Sequence, residues 1–203
     1  MIPKRLVAPA LLFVALFFLA PAQAAPNPAW TKPFPPFRIA GNLYYVGSED
    51  LASYLIVTPK GDILLNSNLD SSPPLIRKSV EALGFHFSDI KILLISHAHY
   101  DHCAGSAEIL RETRAKYEVM APDVSVIESG GRTDFNYAND KSMRFPQAHV
   151  DRILHDGDTV SSIAARCNTN PDQIIDLNDL DGKFLCSQIC HSLLSPFAVA
   201  RAH

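Results

Sequence analysis

Four side chains of one short segment are of the type that bind metal: His97, His99, Asp101 and His102. Zinc favours imidazole nitrogens and carboxylate oxygens. In extended backbone, side chains two apart point the same way, so His97 and His99 are placed to grip one ion. If the chain turns after them, Asp101 and His102 face a neighbouring ion. Dinuclear hydrolases hold two ions ~3.5–4 Å apart. Three imidazoles and a carboxylate at a strand end are hard to explain as solvated surface histidines.

The elements around this segment are legible from pattern. Ile90 to Ile95 is an almost unbroken apolar run, interrupted only by Lys91, which reads as a fully buried strand leading into the motif. Upstream, Leu43 to Val46 and Tyr54 to Thr58 are rich in β-branched and aromatic residues. Pro59-Lys60-Gly61 signals a turn, with Ile63 to Leu65 as the returning strand. Leu75, Ile76, Val80 and Leu83 have helical spacing, so Pro73 to Leu83 is expected as a helix closed by Gly84. Downstream, Cys103 to Arg114 reads as one helix, Lys116 to Met120 as a strand and Pro122 to Glu128 as a short helix. Ser129-Gly130-Gly131 opens a polar loop to about Asn139. The Pro-rich stretch from Pro26 to Pro36 is expected to be extended. Strands alternating with helices predict an α/β layered domain.

The pattern His-x-His-x-Asp-His resembles the metallo-β-lactamase superfamily, whose fold is an αββα sandwich. Its flanks are more specific. Pro35 to Gly47, Leu51 to Pro59, Ile92 to Gly105 and Ser129 through Asp140 are similar to the third subclass of class B β-lactamases, a likeness running from about Asn27 to Asp158. The resemblance implies the N-terminal part of that sandwich, two zinc ions and hydrolysis of the β-lactam amide by metal-activated water. It assigns His97 and His99 to the first zinc, and Asp101 and His102 to the second, which steadies the departing amide nitrogen, and it makes Asp101 the catalytic residue that orients the attacking water. Two neighbouring classes of activity share the motif, thioester and lactone hydrolysis; the flanks argue against them.

The likeness stops after Asp158. The family draws one further histidine for each zinc from its second half, in a Pro-Gly-His-Thr-type turn and a later Ser-His turn, and neither occurs here. The downstream histidines, His191 and His203, lack the expected flanks, and His155 matches a family position that is not a ligand. His86 and His149 are expected to face solvent. With two ligands per ion, the chain as written is expected to hold zinc weakly and to have little or no lactamase activity.

The tail, residues 159–203, is divergent and expected to be short and helical. Gly157 to Arg166 followed by Pro171 to Asn178 is similar to a lysin motif (LysM), which implies peptidoglycan binding. Ser161 to Arg166 and Asp172 to Leu177 read as its two helices. A peptidoglycan-binding protein with a vestigial metal site is therefore the competing function. Ser88-Asp89-Ile90-Lys91 matches the Ser-x-x-Lys of serine β-lactamases, but no Lys-Thr-Gly accompanies it.

The remaining features bound the setting. The 203 residues are 47% hydrophobic and 19% charged, as one ordinary globular domain requires. A net charge of -3 without a long basic run gives no phosphate-binding surface, so nucleic acid is not an expected partner. Lys4 and Arg5, the apolar stretch Leu6 to Leu19 and Ala22-Gln23-Ala24 read as a signal peptide over residues 1–24, cleaved after Ala24. The apolar run is shorter than the ~20 residues of a membrane span. Export to the periplasm is expected, with a small-molecule β-lactam as substrate and no membrane association after cleavage. In that oxidising compartment Cys103, Cys167, Cys186 and Cys190 have disulfides open to them, and the sequence assigns no pairs.

Overall fold

The computed structural model describes residues 27–155, which build one seven-stranded sheet. The expected signal segment, the helices expected in the tail, Cys167, Cys186, Cys190, His191 and His203 lie outside the described residues. In chain order the strands are β1 (Phe37–Ala40), β2 (Leu43–Tyr45), β3 (Tyr54–Ile56) and β4 (Asp62–Leu65), then β5 (Ile90–Leu94), β6 (Lys116–Met120) and β7 (Arg152–Leu154). Spatial order equals sequence order. The first four pair antiparallel as a meander, whereas β4 to β7 pair in parallel. Parallel neighbours need crossover helices. These are α1 (Pro73–Ala82) between β4 and β5, α2 (Tyr100–Cys103) and α3 (Ser106–Thr113) before β6, and α4 (Val124–Ser129) before β7.

Both faces of the sheet are apolar, for different reasons. Strand side chains alternate between faces. Leu55, Leu64, Leu93 and Val119 point to the side where α1, α3 and α4 contribute Ile76, Val80, Ile109 and Ile127. Their neighbours Tyr54, Ile63, Leu65, Ile92 and Leu94 form a second cluster with Leu43 and Leu154, made of strand residues alone. Helices therefore cover one face only among the described residues, and none of them is long and apolar enough to cross a membrane.

Four details differ from the sequence reading. The Pro26–Pro36 stretch is not wholly extended: Pro28–Trp30 forms a 3-10 turn, capped where the Asn27 side chain accepts from the Ala29 amide. Proline suits a first helical position because its missing N–H would be unpaired there anyway. The helix read over Cys103 to Arg114 spans only Ser106–Thr113; Cys103 instead closes α2, and the break between the two falls at Ala104-Gly105. A β-carbon on Gly105 would lie 2.6 Å from the Ser67 carbonyl oxygen, so the backbones press together at that break. β1 and β7 carry no pattern strong enough to be read as strands; β7 is placed by pairing with β6, where Asp151 accepts from the Tyr117 amide and the Lys116 ammonium. By contrast, α1 closes as expected, with Gly84 at φ +86 past its last turn.

Candidate metal centre

The site lies where the parallel strands end. In α/β sheets ligand-binding residues gather outside the carboxyl ends of the parallel strands. The chain leaves β5 at Leu94, passes Ile95 and Ser96, and presents His97 and His99 on either side of Ala98, which is 3% exposed. α2 then turns the chain back and carries Asp101 and His102. The turn is fixed from beneath: the His102 carbonyl accepts from the Ser67 and Asn68 amides at 3.0 and 3.2 Å, just past β4.

The structure brings three of the four motif side chains together. Donor atoms of His97, Asp101 and His102 all lie within 4.8 Å of one another. The His97 and His102 rings are 4.0 Å apart, and His102 Nε2 is 3.5 Å from Asp101 Oδ2. His99 stands beside this trio, its ring 4.6 Å from that of His97. Its Nε2 faces the Asp134 carboxylate at 3.9 Å, and its ring meets Tyr137 at 5.4 Å. Two imidazoles and a carboxylate at such separations are a donor set that suits zinc. Burial pushes the His102 pKa down, with Asp101 acting against that and His99 adding to it. Burial thereby favours the neutral ring, whose lone pair can be offered to a cation.

Several residues of the surroundings carry no signal in the motif itself. Asn66 is fully buried, and its Oδ1 accepts from the Ser96 amide at 2.9 Å. Ser96 Oγ lies 3.2 Å from His97 Nδ1 and 3.0 Å from His102 Nδ1. Asp134 is 6% exposed; its Oδ1 accepts from the Asn136 and Tyr137 amides at 2.7 and 2.8 Å. Asp123 also belongs here. Burial raises its carboxyl pKa, while a hydrogen bond from the Ala98 amide and the nearby His99 hold it down. The clue available beforehand was Asn66-Ser67-Asn68, three polar residues directly after the apolar β4. All three prove buried.

The other candidates fall elsewhere. His86, His149 and His155 are exposed, and His149 pairs with Glu128 at 3.3 Å. Cys103 is buried and free, donating its thiol to the His99 carbonyl at 3.0 Å. Burial, reinforced by Asp101, Asp123 and Asp134, raises its pKa and keeps it a thiol.

Comparison with known proteins agrees with this geometry. The metallo-beta-lactamase superfamily matches residues 51–161, and the LysM domain matches residues 156–185. The native FEZ-1 metallo-beta-lactamase from Legionella gormanii is 65% identical over 64% of this chain and 50% of its own, at a TM-score of 0.63. The class B3 di-zinc metallo-beta-lactamase LRA-12 from an Alaskan soil metagenome is 46% identical over 68% of this chain and 52% of its own, at a TM-score of 0.65. GOB-18 from Elizabethkingia meningoseptica, a metallo-beta-lactamase, is 44% identical over 68% and 51%, at 0.65. The chain thus spans about half the length of these proteins.

Proposed function

This chain belongs to the metallo-beta-lactamase superfamily, and from that premise we propose that its site is built to hydrolyse the amide of a β-lactam ring, with zinc as the cofactor. The observation that carries the reading is the convergence of His97, Asp101 and His102 within 4.8 Å at the end of β5. The 65% identity to FEZ-1 supports the β-lactam over a thioester or lactone.

In this reading His97 and His99 hold one zinc, and Asp101 and His102 the other. Zinc supplies Lewis acidity, polarising a carbonyl and making water acidic enough to ionise near pH ~7. Asp101 accepts a hydrogen bond from the attacking water and aims it. His102, whose neutral form burial favours, contributes a lone pair in place of a competing positive charge. Asp134 holds His99 by facing its Nε2, which leaves Nδ1 for the metal.

The motif offers two ligands to each ion, whereas a catalytic zinc normally has three plus water. We therefore read the chain by itself as a weak zinc binder with low activity. The test is a zinc titration of the purified protein against a chromogenic cephalosporin. Little or no hydrolysis is expected, any turnover needing excess zinc and vanishing on chelation. Failure of the His97–His102 motif to take up zinc even in excess would overturn the hydrolase assignment; full activity at stoichiometric zinc would overturn the weak-site half.

The LysM match over residues 156–185 favours a second role, retention on peptidoglycan through the tail. Co-sedimentation with purified sacculi checks it, and loss of the retained fraction on deleting residues 159–203 is the expected result. Both roles suit the periplasm, and cleavage after Ala24, read by N-terminal sequencing of the mature protein, is the corresponding expectation.

A further inference from the structure

We propose that Ser96 is a positioning residue for the metal centre: its hydroxyl oxygen takes the Nδ1–H of both His97 and His102, leaving Nε2 of both rings for metal. The inference rests on the metal-centre reading above and assigns a part to a side chain outside the ligand motif.

The argument begins with what a ligating imidazole needs. A neutral ring that gives one nitrogen to a metal carries its proton on the other, and that N–H requires an acceptor. A serine oxygen has two lone pairs. Ser96 Oγ lies 3.2 Å from Nδ1 of His97 and 3.0 Å from Nδ1 of His102, hydrogen-bond distance to both. One atom thus meets the rear nitrogen of two rings that stand 4.0 Å apart. Two rings held on a common point keep their front nitrogens in a fixed relation, which a mobile water could not impose.

Ser96 is itself held. Its amide donates to Asn66 Oδ1 at 2.9 Å. Asn66 is fully buried at φ +66, a conformation asparagine tolerates better than most residues. Its amide donates to the Leu94 carbonyl at 2.9 Å, and its carbonyl accepts from Ser53 Oγ at 3.0 Å. Because Oδ1 serves the Ser96 amide, the other amide atom of Asn66 must be the nitrogen. That Nδ2 donates to the Ala52 carbonyl at 3.4 Å and lies 3.3 Å from His102 Nδ1. Being a donor, it favours a lone pair on that nitrogen when no metal is bound. With metal on Nε2 the ring would carry its proton on Nδ1, and the Ser96 oxygen, nearer than Asn66, would accept the hydrogen bond from that N–H. Asn66 thus serves the metal-free ring and Ser96 the loaded one.

The experiment uses the full chain. Ser96→Ala removes the acceptor, and Ser96→Thr keeps it. Competition with a chromophoric chelator is expected to show about 10- to 100-fold weaker zinc binding for Ser96→Ala, with most of the affinity restored in Ser96→Thr. The visible spectrum of the cobalt-substituted protein should change in Ser96→Ala and not in Ser96→Thr. If the unaltered protein takes up no zinc, the metal-centre reading falls and this one with it. If it binds zinc and Ser96→Ala binds equally well with the same cobalt spectrum, Ser96 alone loses its role. Should Ser96→Ala fail to fold, imidazole nitrogen NMR of the unaltered protein decides. With zinc added, protons on Nδ1 of both His97 and His102 support the proposal, and a proton on Nε2 of either ring overturns it.

Discussion

The two walls of the candidate centre are built from different materials. One wall is the end of the sheet: Asn66 after β4, and Ser96 with His97 and His102 after β5. Its contacts are close and its anchors buried, with 2.9 Å from the Ser96 amide to Asn66 and 3.0 Å from Ser96 Oγ to His102. The other wall is the loop after α4, where Asp134 faces His99 at 3.9 Å and Phe135 next to it is 94% exposed. The sheet supplies a fixed floor because each of its strand ends is tied by neighbours on both sides. The loop is tied through Asp134, whose Oδ1 gathers the Asn136 and Tyr137 amides, and by the Ser129 hydroxyl, which accepts from the Arg132 and Thr133 amides. The difference teaches that metal affinity should be set by the sheet wall and substrate contact by the loop wall.

The largest break of that comparison is removal of a ligand from the sheet wall. His97→Ala or Asp101→Ala takes one donor from a cluster of three. Zinc affinity should fall by more than the roughly 100-fold that losing an outer-sphere partner costs. Equilibrium dialysis measures it, and a loss no greater than that of Asp134→Asn would remove the distinction between the walls.

Next in size is Asn66→Ala. It takes the acceptor from the half-buried Ser96 amide and truncates a fully buried side chain. An unsatisfied buried donor costs about 1–3 kcal/mol, so the denaturant midpoint should fall measurably. Zinc affinity should fall along with it, because Ser96 loses its anchor. A stability loss with zinc affinity unchanged would make Asn66 a folding residue only.

These two predictions also mark how far the sequence could be read. The strands nearest the site were legible: the apolar run Ile90 to Ile95 holds β5, Ile63 to Leu65 holds most of β4, and Lys116–Met120 is β6 as expected. In β4 and β5 burial on both faces replaced alternation with near-continuous hydrophobicity, whereas β6 alternates Tyr117 and Val119 with Lys116 and Glu118. The closeness of the motif residues was legible because turn geometry over six residues is local, but the grouping was not: the pattern pairs His97 with His99, whereas the structure gathers His97 with Asp101 and His102 and turns His99 toward Asp134. Asn66 was not legible, since its partner Ser96 lies thirty residues away and only the parallel pairing of β4 with β5 joins them. Asp134 escaped for the same reason, and its loop has no periodicity to read. The helix break at Gly105 was hidden because helical pattern continues through it, while the cause is backbone packing against Ser67 and Leu69.

A milder break addresses the loop wall. Asp134→Asn preserves shape and the capping oxygen but removes the charge facing His99 Nε2. Zinc affinity should drop by about tenfold, the lower end for an outer-sphere partner, because the contact is long and only one ring depends on it. The loss should be smaller than that of Ser96→Ala in the same chelator competition. The reverse order would make the loop, not the sheet, the wall that sets affinity.

Phe135→Ser is the smallest perturbation and the sharpest test of the division of labour. The ring is almost wholly exposed and belongs to neither hydrophobic cluster, so its loss should change stability by no more than about 0.5 kcal/mol. Zinc affinity should likewise stay put, since Phe135 is not one of the three clustered donors. An exposed aromatic beside a polar site is, however, a surface that a bound organic molecule can cover, and covering it releases apolar area from water. If the loop wall serves substrate, KM for a chromogenic cephalosporin should rise severalfold, by analogy with the ~10-fold worth of one small apolar contact, while kcat is retained. A KM equal to that of the unaltered protein would confine substrate to the sheet wall, and the two walls would then differ in construction but not in purpose.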